Sequence, residues 1–288
     1  MPSTVVHKEN YHGSILSPLL ELSDCPKQMY AQGPLPNDGS KILTIVGSRR
    51  HSPYAKQALA HLMKGLTGSD TVIVSGLALG IDALAHRYAL EYGLRTIAVP
   101  GSGLDPTVLY PASNRRLARE ILERNGCLLS ELQDDIKAAP WTFPMRNRIM
   151  ARMADLVLVV EAASKSGTLI TARNASEYGV DVAVVPNGIF SASAEGSNNL
   201  IKEGSHIVTD TQDIFDLMGI ERNTQREKKE YTGVSKAELI ILTALTEPLS
   251  SADLLARVPF DTVSLSQYLS LLEIQGHIRE EQGLLYRT

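Results

Sequence analysis

Residues 71–82 read TVIVSGLALGID. A β-branched apolar run stops at Ser75-Gly76, passes a second glycine at Gly80 and enters a segment of helical period, Asp82–Tyr92. A strand that is apolar at consecutive positions is covered on both faces, and a glycine turn leading straight into a helix marks a β-α unit. The same pattern repeats on either side. Upstream, Ile42–Val46 runs into Gly47-Ser48-Arg49-Arg50, and Ser52-Pro53 supplies an N-cap and a first-turn proline for a helix over Tyr54–Leu66. Downstream come runs at Thr96–Val99, Leu156–Val160 and Val182–Val185, with a further helix-length segment at Asn114–Asn125. Apolar strands alternating with helices predict an α/β fold, a Rossmann-like and mostly parallel sheet with helices on both faces, over residues 41–220.

The flanks read differently. Residues 1–40 are rich in Pro, Ser, Asn and Gly, lack a period and are expected to be an irregular lead-in. Residues 221–234, ERNTQREKKEYTGV, are polar and charged and read as a linker. In residues 235–288, Ser235 and Glu238 make a capping box for a helix through Leu245. Ser251 is placed to cap a second short helix and Asp261 a third, to about Gln275. The tail then reads as a hairpin turning near Gln282-Gly283. Three helices and a hairpin predict a small C-terminal winged-helix domain. The two cysteines, Cys25 and Cys127, lie far apart and suit a reduced cytoplasmic protein without disulfide or zinc. No segment reads as a signal peptide or membrane span; the apolar stretch Ile15–Leu20 is broken by Ser17-Pro18.

In an open α/β sheet, ligands bind beyond the carboxyl ends of the strands, and this chain puts its small residues there. The loops carry Gly47, Ser48, Arg49 and Arg50; Ser75, Gly76, Leu77, Ala78 and Gly80; Gly101-Ser102-Gly103; and Ser164, Lys165, Ser166, Gly167 and Thr168. Small residues let backbone N–H groups approach an anion, helix N-termini favour negative charge, and Arg49, Arg50 and Lys165 make phosphate the natural ligand. Any one such loop is ordinary turn chemistry; four together, two of them basic, point to a phosphate groove. The P-loop pattern is absent, no G-x-G-x-x-G follows the first strand, and Ala163-Ser-Lys-Ser-Gly167 falls short of a nucleophile elbow. These gaps speak against a P-loop ATPase, a dehydrogenase and a serine hydrolase. No cofactor and no metal site is expected: Asp82 and His86 share a helix face without a third ligand, so a packed, hydrogen-bonded histidine is the expectation. The segment Trp141-Thr-Phe143-Pro-Met-Arg146-Asn147-Arg148 leaves two readings open. Its aromatics stack bases while its arginines hold phosphate, or the aromatics lie in the core and the arginines on a solvated helix start.

Taken in order after IVGSRR, the stretches SGLALGIDALAHRYAL, LYPASNRRLAREI, FPMRNRIM, VVEAASKSGTLITA and EGSNNLIKEGSHIV resemble the DprA (Smf) family of DNA-processing proteins, over about 41–217. The last 55 or so residues resemble that family's winged helix, and DCPKQMYAQGPL its segment before the sheet. The resemblance implies a non-enzymatic, homodimeric single-stranded-DNA-binding protein of natural transformation that shields incoming strands and loads RecA recombinase. Carried over residue by residue, it implies phosphate contacts from Ser48, Arg49 and Arg50 with Gly76 and neighbouring amides, added charge from Lys165, and base and backbone contacts from Phe143, Arg146, Asn147 and Arg148. Three departures stand out. There is no room ahead of the sheet for the small helical domain of many members, Leu79 stands where a basic residue is common, and Asn187 interrupts the usual Pro-Gly. The alternative is a nucleotide-binding or nucleoside-monophosphate-hydrolysing protein of the related phosphoribohydrolase-like superfamily. Against it, the helix after Ser166-Gly167-Thr168 offers no acid before Glu177.

Formal net charge is −4 and aromatics are 5% of the chain, which at face value disfavours a nucleic-acid binder. The regional count says otherwise. Residues 41–152 hold fifteen Lys/Arg against nine Asp/Glu, a net of +6; residues 153–215 hold three against eight, a net of −5; residues 231–288 hold four against seven, a net of −3. Asp261–Gln275 contains no Lys or Arg, so the winged helix is expected to bind protein, or pack on the sheet domain, rather than DNA. Composition excludes a uniformly basic duplex-coating protein and an aromatic-rich OB or RRM surface, and leaves room for one localised phosphate groove. If Arg49, Arg50, Arg146, Arg148 and Lys165 each neutralise a phosphate, the log–log salt slope is about −3.5, at roughly −0.7 per contact.

Overall fold

The stretch around Gly76 lies at the middle of a nine-stranded sheet in the structure, a computed structural model that describes residues 3–221, 234–245, 249–281 and 283–287. In chain order its strands are β1 (Thr4–His7), β2 (Gln28–Gln32), β3 (Lys41–Val46), β4 (Thr71–Ser75), β5 (Thr96–Ala98), β6 (Cys127–Ser130), β7 (Leu156–Val159), β8 (Asp181–Val184) and β9 (His206–Ile207). The spatial order is β1-β2-β6-β5-β4-β3-β7-β8-β9, with β3 to β9 parallel. From β3 the chain winds outward to β6, then returns to β3's other side as β7. The reversal leaves a crevice between the carboxyl ends of β3 and β7, the topological switch point of a doubly wound sheet. The expected Rossmann-like sheet is present.

Helices α1 (Pro53–Gly65), α2 (Ile81–Glu91), α3 (Arg115–Glu123), α4 (Thr142–Met153), α5 (Thr168–Glu177), α6 (Glu195–Lys202) and α7 (Thr211–Met218) surround it. Side chains alternate across each strand, so the unbroken apolar runs feed two cores. Leu43, Ile45, Ile73, Leu156 and Leu158 pack with Leu59 and Met63 of α1, Ala85 of α2 and Phe215 of α7. Ile42, Val46, Val72, Val74, Val157 and Val159 pack with Ile149 and Met150 of α4 and Ala172 of α5. Each such aliphatic side chain, almost wholly enclosed, contributes about 1.5–3 kcal/mol. Ser52 caps α1 as expected, accepting from the Ala55 N–H with Pro53 in the first turn.

Residues 1–40 depart from the irregular lead-in that composition suggested. β1 and β2 form a hairpin-like pair, and β2 lies antiparallel against β6, extending the sheet. Tyr11, Leu16, Leu19 and Met29 are fully buried against the second of the two cores. Short 3₁₀ turns such as Ser17–Glu21 set these apolar residues inward at a spacing that neither helical nor strand period reveals. The sequence pattern also left unassigned β6, whose CLLS is too short to stand out, and the two-residue β9.

The chain divides into two compact units, 1–222 and 223–288. In the second, α8 (Lys236–Ala244), α9 (Ser251–Leu255) and α10 (Thr262–Ile274) precede the antiparallel strands β10 (Ile278–Glu281) and β11 (Leu284–Arg287). The Ser235–Glu238 capping box and the Asp261 cap are present; the cap of α9 is Ser250, one residue ahead of the expected Ser251. The unit's own core joins Ile241, Leu242, Leu254, Leu265, Leu272 and Ile278. All but the ends of the proposed linker, and Gln282 of the expected turn, lie outside the described residues.

Candidate nucleic-acid interface

The switch point holds a cleft of about 550 Å³. One wall is the loop after β3, with Gly47, Ser48, Arg49 and Arg50; the opposite wall is the loop after β7, with Lys165, Ser166, Gly167 and Thr168; Ala78 comes from the β4–α2 turn, Asp82 from the first turn of α2, and Phe143, Arg146 and Asn147 from α4. The loops are locked to one another. The Ile81 N–H at the start of α2 donates to the Ser48 carbonyl, and the Ser48 N–H donates to the Glu161 carbonyl. Gly80 has φ +79°, and a Cβ there would lie 2.2 Å from the Ser48 carbonyl oxygen, so only glycine brings the two turns this close. Within the walls, the Ser48 Oγ accepts from the Arg50 N–H and the Ser166 Oγ from the Thr168 N–H, fixing both turns.

Three cations stand on the rim. Arg49, Arg50 and Lys165 are exposed, and none enters an ion pair among the described residues. The Arg49 guanidinium lies 5.5 Å from the centre of the half-buried Phe143 ring, and Tyr110 meets the same ring edge-on with centroids 5.8 Å apart. Trp141, the single tryptophan, is 56% exposed at the start of α4.

Not every residue of the expected set faces the cleft. Arg146 is buried at its floor, donating through Nη1 to the carbonyls of Gly76 and Val99 and through Nε to Asn147 Oδ1. Burial pulls its pKa down to about 10, against the nearby Asp82 carboxylate, so it stays charged at neutral pH. Burial pushes the Asp82 carboxyl up, with Arg146 and the Ala78 and Gly76 amides opposing. Gly76 lies between these two groups: a Cβ there would sit 2.0 Å from Arg146 Nη1 and 2.6 Å from Asp82 Oδ2. Arg148 is absent from the cleft lining and is held by both oxygens of Glu131 at 2.8 Å and by Asp24 at 3.0 Å. Both open readings of 141–148 are therefore corrected. Its arginines are buried, Arg146 against backbone carbonyls and Arg148 between two carboxylates; its tryptophan is exposed, and Phe143 lies at the cleft. Ser75 and Leu77 are scaffold residues: the Ser75 Oγ donates to the Ile45 carbonyl, and the Leu77 side chain is fully buried.

Two positioning residues escaped the sequence reading. Glu161, fully buried just beyond β7, accepts from the Ser52 N–H and hydroxyl and so ties the β3–α1 loop to the neighbouring strand. Its one trace in the sequence is a lone acid closing an apolar run, Leu156–Val160. Asn114 donates to the carbonyls of Leu77 and Ala78 and holds the β4–α2 turn. Asn147, one of the expected contact residues, reaches the Gly167 carbonyl at 3.5 Å and so braces the opposite wall. His86 is buried as expected, its Nδ1 2.7 Å from Thr96 Oγ1, and among the described residues no cluster of three metal-ligating side chains forms.

The family profile described as DNA recombination-mediator protein A matches residues 3–219. Protein Smf of Escherichia coli (strain K12) is 40% identical over 198 residues, covering 69% of this chain and 52% of Smf, so the chain spans about half the length of that relative. The crystal structure of DNA processing protein A (DprA) from Streptococcus pneumoniae superposes with a TM-score of 0.68 at 36% identity, covering 74% of each chain. DNA processing protein A of Helicobacter pylori, a structure described for its unique single-stranded DNA binding mode, gives 0.62 at 30% identity, covering 75% of this chain and 97% of that one. The profile takes in all nine strands of the sheet and both walls of the switch-point cleft, and on that extent of agreement the chain belongs to the DNA recombination-mediator protein A family.

Proposed function

We propose that this protein binds single-stranded DNA through the switch-point cleft, without enzymatic chemistry. The observation that carries the reading is the set of three rim cations, Arg49, Arg50 and Lys165, free of ion pairs among the described residues and gathered from two loops beside the Phe143 ring. Cations left unneutralised around a cleft built from short turns suit a chain of phosphates, and an aromatic alongside suits unpaired bases. The relative from Helicobacter pylori, with its single-stranded DNA binding mode, supports the same assignment. Ser48, Gly47, Ala78, Gly80, Ser166, Gly167 and Thr168 shape the walls in this reading, while Arg146, Asn147, Gly76, Ser75, Leu77 and Arg148 hold the frame.

Nucleotide hydrolysis is the weaker reading, because it needs a carboxylate free to act in the cleft. Asp82 is buried beside Arg146, and Glu161 is engaged with Ser52. Further proposals rest on the family resemblance: protection of incoming strands in the cytoplasm, transfer to RecA recombinase, and a homodimer. Among the described residues no helix is long and apolar enough to cross a membrane. For residues 235–288 we keep the winged-helix reading and assign it to protein contact. α10 carries no Lys or Arg and exposes Val263 and Ile274.

The decisive measurement is a titration of single- and double-stranded DNA at two salt concentrations. Three phosphate contacts give a log–log slope of about −2 for the single strand, shallower than the −3.5 that five cations would give. Arg49→Glu/Arg50→Glu and Lys165→Ala weaken binding. Affinity that ignores both salt and these substitutions rules the cleft out.

A further inference from the structure

A second, much smaller recess adjoins the cleft and shares Arg49, Ala78, Phe143 and Arg146 with it. Gly76, Leu79, Tyr110 and Pro111 complete it. Its interior is about 20 Å³, roughly the room of one water molecule, so an occupant lies across it and not inside it. The apolar side chains offered to such an occupant are those of Leu79 and Tyr110. Tyr110 is 45% exposed and Leu79 46% exposed, although each stands on a pinned segment. The Tyr110 N–H donates to the Ser102 Oγ, and the turn before Leu79 is held at the Ala78 carbonyl by Asn114.

The arrangement of rings and charge decides what fits. Arg49 covers Phe143 as a cation over an aromatic ring, and Tyr110 meets Phe143 edge-on with an interplanar angle of 60°. Phe143 is thus partly occupied by its neighbours, and the more exposed ring beside it is that of Tyr110. The Tyr110 hydroxyl makes no hydrogen bond among the described residues, so the ring is placed by packing alone. Arg49 stands at the junction, lining both the cleft and the recess. An occupant tethered to a phosphate on Arg49 and Arg50 therefore reaches the Tyr110–Leu79 surface with its adjoining planar group.

The geometry points to a nucleobase shelf formed by Tyr110 and Leu79, taking one base of the strand whose phosphates lie on Arg49 and Arg50. The shelf rests on the cleft reading above and adds to it a base-dependent component that the phosphate contacts lack. Stacking of this kind is tolerant of base identity, because every base has a π face.

The test compares a short oligothymidylate with the same strand carrying abasic sites throughout, using the full chain. Tyr110→Ala is expected to weaken the intact strand about fivefold or more, at the lower end of what one stacked base contributes, and to bind the abasic strand as the unsubstituted protein does. Tyr110→Phe, which keeps the ring, recovers intact-strand binding. Equal binding of the intact strand by Tyr110→Ala and the unsubstituted protein overturns the shelf, as does an equal loss on both strands. A loss in Tyr110→Phe as large as in Tyr110→Ala would make the hydroxyl the binding group and also overturns it. An Arg50→Ala/Lys165→Ala pair separates the two levels: it weakens both strands alike if the cleft holds phosphate, and leaves both unchanged if the cleft reading fails.

Discussion

Arg146 and Arg148 sit two residues apart on α4 and do different jobs from those that their spacing suggests. The Arg146 guanidinium closes over Gly76, satisfies two buried carbonyls and faces the buried Asp82; Arg148 is clamped between Glu131 and Asp24. Removing Arg146 leaves two carbonyls without donors and a carboxyl without its opposing charge, each an uncompensated buried polar group. Arg146→Ala should therefore destabilise the first unit by about 3 kcal/mol or more, read as a fall in the urea midpoint. An unaltered midpoint with weakened DNA binding would instead make Arg146 a direct phosphate contact. The pattern R-N-R could not announce this, because the partners lie far off in the chain: Gly76 is 70 residues from Arg146, and Glu131 is 17 from Arg148. The rim cations were legible for the opposite reason. Arg49, Arg50 and Lys165 follow the ends of parallel strands directly, and the exit of a strand is where such loops meet solvent.

At the scale of elements, α2 couples the site to acid stability. Its N-terminal turn carries Asp82 and its second turn His86, both buried. Burial lowers the His86 pKa to about 3 from a usual value of about 6.5. Between those values the unfolded chain binds a proton that the folded chain refuses. This contribution to stability is full above about pH 6.5 and is lost as pH falls, at up to about 1.4 kcal/mol per pH unit. Asp82 acts with the opposite sign. Its raised pKa means that the folded state holds a proton the unfolded state releases, so stability declines as pH rises from the normal carboxyl range toward the raised value. His86→Gln should lower stability at neutral pH by removing the hydrogen bond to Thr96, yet flatten the dependence between about pH 6.5 and 4.5, measured by chemical denaturation across that range. An undiminished slope would place the acid-sensitive group elsewhere. The helix itself was readable from its period; the histidine's hydrogen-bonded burial was read from the lack of a third ligand, and its Thr96 partner came only with the fold.

Over the whole molecule, a net charge of −4 is the sum of unlike regions, and the positive one supplies most of the cleft. The first unit contains the sheet, both cores and every lining residue of the cleft. A chain ending after residue 221 should therefore fold and bind single-stranded DNA within about threefold of the full chain, in a titration at matched salt. Any phosphate held by residues 223–288 would be missing from the shorter chain and would weaken its binding by a salt-dependent amount. A tenfold or larger fall in affinity would show that those residues grip the strand. The acidic composition of 231–288 and the absence of Lys and Arg from α10 argue for the smaller effect.

The sequence by itself determined the alternation of five apolar strands with helices from Lys41 onward, the parallel sheet, the glycine and serine turns at the strand exits and the cations among them. These properties follow from side-chain period, capping and turn chemistry, which act between near neighbours in the chain. Only the tertiary structure decided that the first forty residues extend the sheet, that two arginines of α4 are held inside, and that Tyr110 comes to stand beside Phe143 and Arg49. Those outcomes depend on which distant segments share a buried volume. A charge pairs, or stays free for a ligand, according to what the fold brings within a few ångströms of it, and local pattern carries no record of that.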